Sequence, residues 1–412
     1  MEEVQRNQIL AWVFGGTGRY ACGPAQLRYN VRNQPVELTS RMFPIIATAG
    51  APRERGRQYG AQARDRIQHS IASYARLFAF CGLTWGEAQV KAARYRDVIA
   101  ATSPALLEEM TGIAEGAGVA ELEILALNAR TEILPPTYPA EPSPAWSTAR
   151  ERNRAAGVAD WGECTALAVL PAASRDGKTW LAQNWDWIGA QRAALVLLRV
   201  TDEHGRQLLT LTEAGMLAKI GLNDRGLGVC LNILRSVDDG QAPGVPVHVL
   251  LRHLLGCADV AAASATARSL KHGASSNILV ADRGAHAASI ELSPRSVAVL
   301  APRSGTLAHT NHFLDTGQAL HAAALTPLAS TEQRLACALD HAARAPLGKD
   351  DIVALLRDTS GGAFAVCRFP DPTLPQEVRI ETVAGVVMDL AGLVMWVAPD
   401  VPARVAFDEI QL

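Results

Sequence analysis

The chain has 412 residues, of which 49% are hydrophobic and 19% are charged, so it can bury a large core and is not a disordered protein. Lysine and arginine number 39 against 41 aspartate and glutamate residues, and the formal net charge of −2 excludes a wide basic surface for nucleic acid. At roughly 150 residues per domain, this length favours two or three domains.

The seven cysteines cannot all be paired in disulfides, and the sequence contains no C-x-x-C pair. The start, Met1-Glu2-Glu3, is acidic where a secretory signal is basic. No stretch approaches the roughly 18 to 20 apolar residues of a membrane span. We therefore expect a cytoplasmic protein with free thiols that contacts neither a membrane nor nucleic acid.

The first part of the chain divides into three segments of different texture. Residues 1–43 show no sustained period and are interpreted as an N-terminal extension. Residues 44–133 are predicted to be mainly helical, with one long helix over 54–80 where apolar residues recur at helical spacing. A proline-rich, basic connector at 134–160 is expected to be exposed.

From Cys164 onward the pattern changes to short runs of Leu, Val and Ile, separated by turn signals such as Arg175-Asp176-Gly177. The predicted strands are 165–170, 179–184, 193–200, 207–212, 217–222, 228–233, 277–281, 287–292, 296–300, 379–388 and 393–398. Helices are predicted at 246–256, 258–270, 330–343 and 349–358. This order predicts stacked antiparallel sheets with helical layers outside, and not a doubly wound parallel sheet.

Common motifs for phosphate binding, serine hydrolysis and zinc proteolysis are absent from the sequence. His309 and His312 lie three residues apart, but no carboxylate or third ligand is positioned near them, so we predict no metal site.

Cys164 is the candidate for chemistry because it lies where the helix-rich part of the chain meets the strand-rich part. Downstream, Asn184-Trp185-Asp186-Trp187 places polar groups between two indoles. Most cysteines in proteins are small buried hydrophobes. We interpret the following cysteines in that way: Cys81, Cys230, Cys257, Cys337 and Cys367. These residues alone leave open whether Cys164 is catalytic.

An ordered set of sequence blocks runs from about residue 44 to 400. The blocks are G-A-P-R-E-R-G-R-Q-Y-G at 50–60, E-M-T-G-I-A-E-G-A at 109–117 with L-N-A-R-T-E at 127–132, E-C-T at 163–165 with Q-N-W-D at 183–186, T-E-A-G at 212–215 with K-I-G-L-N at 219–223, H-T-N-H at 309–312, and V-M-D-L at 387–390 with V-A-P at 397–399. Together they resemble the acyl-coenzyme A:6-aminopenicillanic acid acyltransferase family, the peptidase C45 group of N-terminal nucleophile (Ntn) hydrolases.

The resemblance implies an α+β fold, the four-layer αββα Ntn sandwich of two antiparallel sheets between helical layers, which agrees with the predicted strand order. Cys164 matches the family's nucleophile, which becomes the N-terminus of the β chain after self-cleavage between Glu163 and Cys164. Asp186 matches the catalytic aspartate, and Asn311 matches the asparagine that serves the oxyanion hole. The expected product is one Ntn domain of two associated chains, 1–163 and 164–412.

The implied chemistry suits an N-terminal cysteine, because a thiol and an α-amine both titrate near neutral pH and can act as nucleophile and base. The thiol first attacks the carbonyl of Glu163, and water then releases the upstream chain. A thioester on Cys164 subsequently passes its acyl group to an amine or to water. The expected partner is a small amide or acyl thioester, with acyl-coenzyme A as a co-substrate and no bound cofactor.

Several residues are expected to support the site. His309 would be a structural hydrogen-bond partner, Trp185 would line the acyl pocket or belong to the core, and Asn184 would orient Asp186 or the backbone. Arg334 would bind a substrate carboxylate or form a surface salt bridge. Further supporting candidates are Thr165, beside the nucleophile, and Asn277, a second oxyanion candidate.

Two features depart from the family's familiar fungal members. Those members carry glycine directly before the cysteine, where this chain has Glu163, which changes the strain at the scissile bond. The C-terminus, Glu409-Ile410-Gln411-Leu412, is not a peroxisomal signal, so the cytoplasm remains the expected location. Two alternatives stay open: a pure amide hydrolase of the penicillin-V or bile-salt type, and a non-catalytic Ntn-fold binding protein.

Overall fold

A computed structural model describes residues 42–134, 164–323, 330–372 and 376–412. The predicted extension up to residue 41, the proline-rich connector from residue 135 and Glu163 lie outside the described residues.

The first described part is mainly helical, as predicted. Strand β1 (Ile45–Gly50) precedes α1 (Pro52–Gln62), α2 (Arg64–Phe80), α3 (Trp85–Ala93), α4 (Arg96–Thr102), α5 (Pro104–Ala117), α6 (Glu121–Asn128) and α7 (Arg130–Ile133). The prediction of one helix over 54–80 is wrong, because the backbone leaves helical geometry at Ala63, with φ −108°. Residues 61–66 contain no proline or glycine, and the helical spacing of apolar residues continues across the break, so the sequence did not indicate it.

Helices α1 and α5 pack backbone to backbone through glycines of the first two sequence blocks. A Cβ atom on Gly56 would overlap the carbonyl oxygen of Glu109, and one on Gly60 would overlap that of Ile113. On α5, a Cβ atom on Gly112 or Gly116 would likewise overlap a backbone carbonyl oxygen of α1. The glycine spacing of both blocks therefore has a packing function.

The remaining elements form two sheets and a second group of helices. The strands are β2 (Cys164–Val169), β3 (Trp180–Ile188), β4 (Leu195–Asp202), β5 (Gln207–Glu213), β6 (Ile220–Asn223), β7 (Leu227–Ile233), β8 (Ser276–Asp282), β9 (Ala287–Leu292), β10 (Val297–Leu300), β11 (Thr306–His309), β12 (Ile380–Asp389), β13 (Val394–Ala398) and β14 (Asp408–Gln411). The helices are α8 (Val247–Leu254), α9 (Val260–Ser269), α10 (Thr316–Ala319), α11 (Thr331–Ala342) and α12 (Lys349–Leu356).

One sheet has eight strands in the order β1-β4-β5-β6-β7-β8-β9-β10, and the other has six in the order β11-β2-β3-β12-β13-β14. Neighbouring strands are antiparallel except for the parallel pair β1 and β4. The predicted α+β architecture is confirmed, with that parallel edge pair as the one departure among the described strands.

The layers follow from which elements touch. Strands β2 and β3 pack against β7 and β8, so the two sheets lie face to face. Helices α11 and α12 cover the outer face of the six-stranded sheet, and α9 covers the outer face of the other. One apolar core joins both sheets to the helices of the first part, and a second lies beneath α11 and α12. Among the described residues, no helix is both long and apolar enough to cross a membrane.

Candidate active site

Cys164 is the first residue of β2, which lies between β11 and β3 in the six-stranded sheet. It pairs in register with Trp185 of β3, and its side chain is only 3% exposed. On the other side His309 pairs with Ala166, and continuing that register by two residues brings Asn311 opposite Cys164. The strand pairing therefore assembles residues that are far apart in the sequence.

Both ends of the Cys164 main chain are held by side chains. Its backbone nitrogen donates to Oδ1 of Asn311 at 2.7 Å. Its carbonyl oxygen accepts from Nη1 of Arg334 at 2.7 Å and from Nδ2 of Asn232 at 3.0 Å. These contacts fix the direction in which the cysteine is presented.

Arg334, on α11, is fully buried, so the interpretation of this residue as a surface salt bridge is wrong. Besides the Cys164 carbonyl, its guanidinium donates to Oγ1 of Thr165 at 3.0 Å and to Oδ1 of Asn311 at 3.1 Å. Ser330 receives its Nε–H at 2.8 Å. The planar fork of arginine suits this set of acceptors, which a lysine could not satisfy together.

The amide of Asn311 has a defined orientation. Its Oδ1 accepts two hydrogen bonds, while Nδ2 donates to the carbonyl of Ile233 at 2.9 Å. An amide nitrogen carries two hydrogens, so one bond to Ile233 leaves Nδ2 able to donate a second.

His309 is buried behind this residue. Its ring contacts Oε1 of Glu291 at 2.8 Å and the carbonyl of Thr310 at 2.7 Å. Glu291 also accepts from the backbone nitrogens of Leu314 and Asp315, at 2.6 and 3.0 Å. The pair thus anchors the chain on both sides of Asn311.

Asp186 is fully buried on β3, beyond the predicted end of that strand. Its Oδ1 accepts from the hydroxyl of Thr382, its register partner on β12, at 2.6 Å. Burial raises the pKa of the Cys164 thiol and the Asp186 carboxylate raises it further, whereas Lys219, Arg334 and a hydrogen bond from the Asp186 backbone lower it. A buried thiol of this kind needs a base before it can react.

Asn184 points into the outer layer. Its Nδ2 donates to the carbonyls of Leu356 and Val366, at 2.8 and 2.9 Å. It therefore holds β3 against α12 and the segment that follows. Asn184 is expected from the sequence to orient either Asp186 or the backbone, and these two hydrogen bonds are to backbone carbonyls.

Two residues at the site carry no role in the sequence analysis. Asn232 binds the Cys164 carbonyl, and Asn277 holds Asn232 in turn by donating to its Oδ1 at 3.0 Å. Lys219 is 2% exposed, and its Nζ lies 3.9 Å from the centre of the Trp185 ring. Lys219 and Asn232 each stand as a single polar residue within an apolar stretch of the sequence, which is the signal that could have identified them.

A possible ligand group for a metal lies apart from Cys164, in the outer helical layer. Cys337 and His341 on α11 and Asp358 after α12 bring one ligand atom each within 4.8 Å of one another. The Asp358 carboxylate lies 3.4 Å from both the thiol and the imidazole nitrogen. Hydrogen bonding between these groups accounts for their approach.

Comparison with known proteins gives concordant results. The model of the acyl-coenzyme A:6-aminopenicillanic acid acyl-transferase family matches residues 173–403, more than half of the chain. The 40 kDa form of acyl-coenzyme A:6-aminopenicillanic-acid-acyltransferase from Emericella nidulans is 28% identical over 272 residues, covering 65% of this chain and 69% of its own.

Two solved structures are more distantly similar. A point mutant of the conjugated bile acid hydrolase from Clostridium perfringens is 12% identical, with a TM-score of 0.42 over 60% of this chain and 92% of its own. Penicillin V acylase from Agrobacterium tumefaciens is 14% identical, with a TM-score of 0.39 over 57% of this chain and 82% of its own.

The family match and the acyltransferase relative define an enzyme that transfers acyl groups. The chain belongs to the acyl-coenzyme A:6-aminopenicillanic acid acyl-transferase family. The alternative of a non-catalytic binding protein is set aside by this membership.

Proposed function

We propose that the chain cleaves itself between Glu163 and Cys164 and then transfers acyl groups through a thioester on Cys164. The observation that carries this proposal is the hydrogen bond of 2.7 Å between the Cys164 nitrogen and Asn311 Oδ1. In the whole chain that nitrogen is an amide. After cleavage it would be an α-amine at the same place, beside the thiol whose proton it must accept.

Self-cleavage begins with a bond from the Cys164 sulfur to the carbonyl carbon of Glu163. The Cys164 nitrogen then leaves with a proton, and the upstream chain is held as a thioester. Water attacks the thioester, which yields a carboxylate at Glu163 and restores the thiol. The result is one new amine and one new carboxylate for each water consumed.

In turnover, the α-amine takes the thiol proton and the thiolate attacks the substrate carbonyl. The second Nδ2 hydrogen of Asn311 is our candidate donor to the oxyanion. We assign Asp186 to the ammonium through its charge. Collapse of the intermediate expels an amine or thiol, and an amine or water then takes the acyl group.

Contacts between the two halves of the chain support the proposal that the pieces stay associated. Strand β1 pairs with β4, and α1–α7 share a core with both sheets. The ion pair of Arg130 with Glu213, at 3.1 Å, also joins them and is fully buried. Cleavage of the single peptide bond before Cys164 would leave these contacts in place.

Acylation of Cys164 tests the catalytic half of the proposal. The protein is mixed with an activated ester, and the labelled peptide is identified by mass spectrometry. We expect one acyl group on Cys164 and none on Cys230, which is also buried. Labelling elsewhere, with Cys164 untouched, would contradict the assignment. An acyl thioester offered with and without an added amine then separates transfer from hydrolysis.

A further inference from the structure

Lys219 is a buried charged residue that the proposed turnover does not use. It lies directly before β6 and is 2% exposed. Its Nζ stacks on two indoles, 3.9 Å from the ring centre of Trp185 and 5.7 Å from that of Trp187. Within the described part of the chain, no carboxylate forms an ion pair with it. Such a cation is costly to bury, so the neutral amine is favoured.

Trp185 links Lys219 to Cys164. Trp185 is the direct partner of Cys164 across β2 and β3, and direct partners lie on the same face of a sheet. Lys219 packs on that face through Trp185. In its protonated form, Lys219 lowers the pKa of the Cys164 thiol more than any other charged group around it.

The titratable groups that act on Lys219 are Arg130 on α7, Glu213 on β5, His248 on α8 and Cys164 itself. Glu213 already binds Arg130 at 3.1 Å and the hydroxyl of Tyr74 at 2.5 Å. Burial and the charge of Arg130 lower the pKa of Lys219 to about 7. Lysine at that pKa exchanges protons near neutral pH.

Before cleavage, the α-amine that acts as the base in turnover does not exist, because the Cys164 nitrogen is still part of a peptide bond. Arg334 cannot accept a proton. The Asp186 carboxylate already accepts a hydrogen bond from the hydroxyl of Thr382. Of these described residues, the neutral amine of Lys219 is the basic group that packs on the thiol's face of the sheet, through Trp185.

We propose that Lys219 accepts the thiol proton of Cys164 before self-cleavage and so activates the sulfur for its attack on Glu163. The proton passes from sulfur to Nζ, the thiolate bonds to the Glu163 carbonyl carbon, and the ammonium returns the proton to the departing Cys164 nitrogen. This inference rests on the proposed function, in which Cys164 is the nucleophile. Lys219 is dispensable once the α-amine exists.

The test compares the rate of self-cleavage against pH for the full chain and three variants. Lys219→Met removes the base and keeps a side chain of similar length, and Lys219→Arg supplies a fixed positive charge but cannot accept a proton. Lys178→Met is the control, because Lys178 also stacks on an indole, Trp180, at the opposite end of β3. Thermal unfolding verifies that each variant is folded.

We expect both Lys219 variants to cleave at least about tenfold more slowly at neutral pH, with the rate of Lys219→Met rising only at higher pH. Lys178→Met should match the unaltered protein. Equal rates for Lys219→Met and the unaltered chain would overturn the proposal. Full-speed cleavage by Lys219→Arg would also overturn it, since charge alone would then suffice.

If the unaltered chain never cleaves, the self-cleavage proposal fails and Lys219 is tested separately. The thiolate absorbance of Cys164 is then titrated in the whole chain, as the difference from Cys164→Ala. A midpoint that rises by about one pH unit or more in Lys219→Met supports the link between the two residues. Coincident midpoints overturn it.

Discussion

The side-chain oxygen of Asn311 accepts a hydrogen bond of 2.7 Å from the backbone nitrogen of Cys164, 147 residues earlier in the chain. The same oxygen accepts from Arg334 at 3.1 Å, and Nδ2 is directed at the carbonyl of Ile233. The amide therefore cannot turn without losing all three bonds. Asn311 thus holds the Cys164 nitrogen through its oxygen, and in the proposed mechanism its second Nδ2 hydrogen would bind the oxyanion.

Replacing Asn311 with Asp should separate these two functions. The oxygen that binds the Cys164 nitrogen is kept, but the Nδ2 donor is lost, so we expect kcat to fall by about 10²- to 10³-fold. Steady-state kinetics on purified, cleaved enzyme measures the change. Asn184→Asp is the matched control, because Asn184 binds outer-layer carbonyls. An unchanged kcat in Asn311→Asp would remove the oxyanion assignment.

Arg334→Met should impair both folding and activity. Its loss leaves the Thr165 hydroxyl without this donor and the Cys164 carbonyl with Asn232 alone, at a cost of about 1–3 kcal/mol in unfolding free energy for the buried group left unsatisfied. Urea denaturation measures this cost. Arg357→Met is the control, since Arg357 binds the carbonyls of Pro402 and Val405 in a more exposed position. Equal stability of the two variants would show that the buried network is not needed.

Glu132 should make stability depend on pH. Burial raises its pKa to about 7, although a hydrogen bond from the Val247 backbone opposes the shift. The folded state thus binds this proton more tightly than the unfolded state, and stabilisation present below about pH 4.5 is lost as the pH rises to about 7. Relative to Glu132→Gln, the unaltered protein should lose roughly 3 kcal/mol over that range. If the difference in unfolding free energy between the two proteins were the same at about pH 4.5 and about pH 7, this prediction would be wrong.

Gly60→Ala should destabilise the contact between α1 and α5. The added methyl would overlap the carbonyl oxygen of Ile113, and overpacking of this kind costs about 1–3 kcal/mol or more. The control is Gly86→Ala on α3, where a methyl meets no atom within 4 Å. That substitution should be neutral or stabilising, because alanine favours helix. Thermal unfolding compares the two, and equal melting temperatures would refute the packing role.

The layered architecture could be predicted because hydrophobic period and turn signals are local properties. The site was less predictable. Asp186 lies on β3 beyond the end of the predicted strand. The polar residues Asn184 and Asp186 favoured an exposed strand end, whereas the structure buries both. Lys219 gave no periodic signal, because its surroundings come from four other elements of the fold.

The burial of Arg334 depended on contacts that no local pattern encodes. Its partners are the Cys164 carbonyl, Thr165 and Asn311, which come from two other parts of the chain. Residue blocks could match Cys164, Asp186 and Asn311 to a family, and Arg334 was a candidate, yet its contacts with Cys164 and Asn311 are seen only in the folded chain.

The intact mass of the purified protein under denaturing conditions tests the central claim most directly. Self-cleavage gives two polypeptides, residues 1–163 and 164–412, whose combined mass exceeds that of the whole chain by one water. Cys164→Ala should give one uncut chain. A single species at full mass after long incubation of the unaltered protein, or cleavage that persists in Cys164→Ala, would contradict self-cleavage by Cys164.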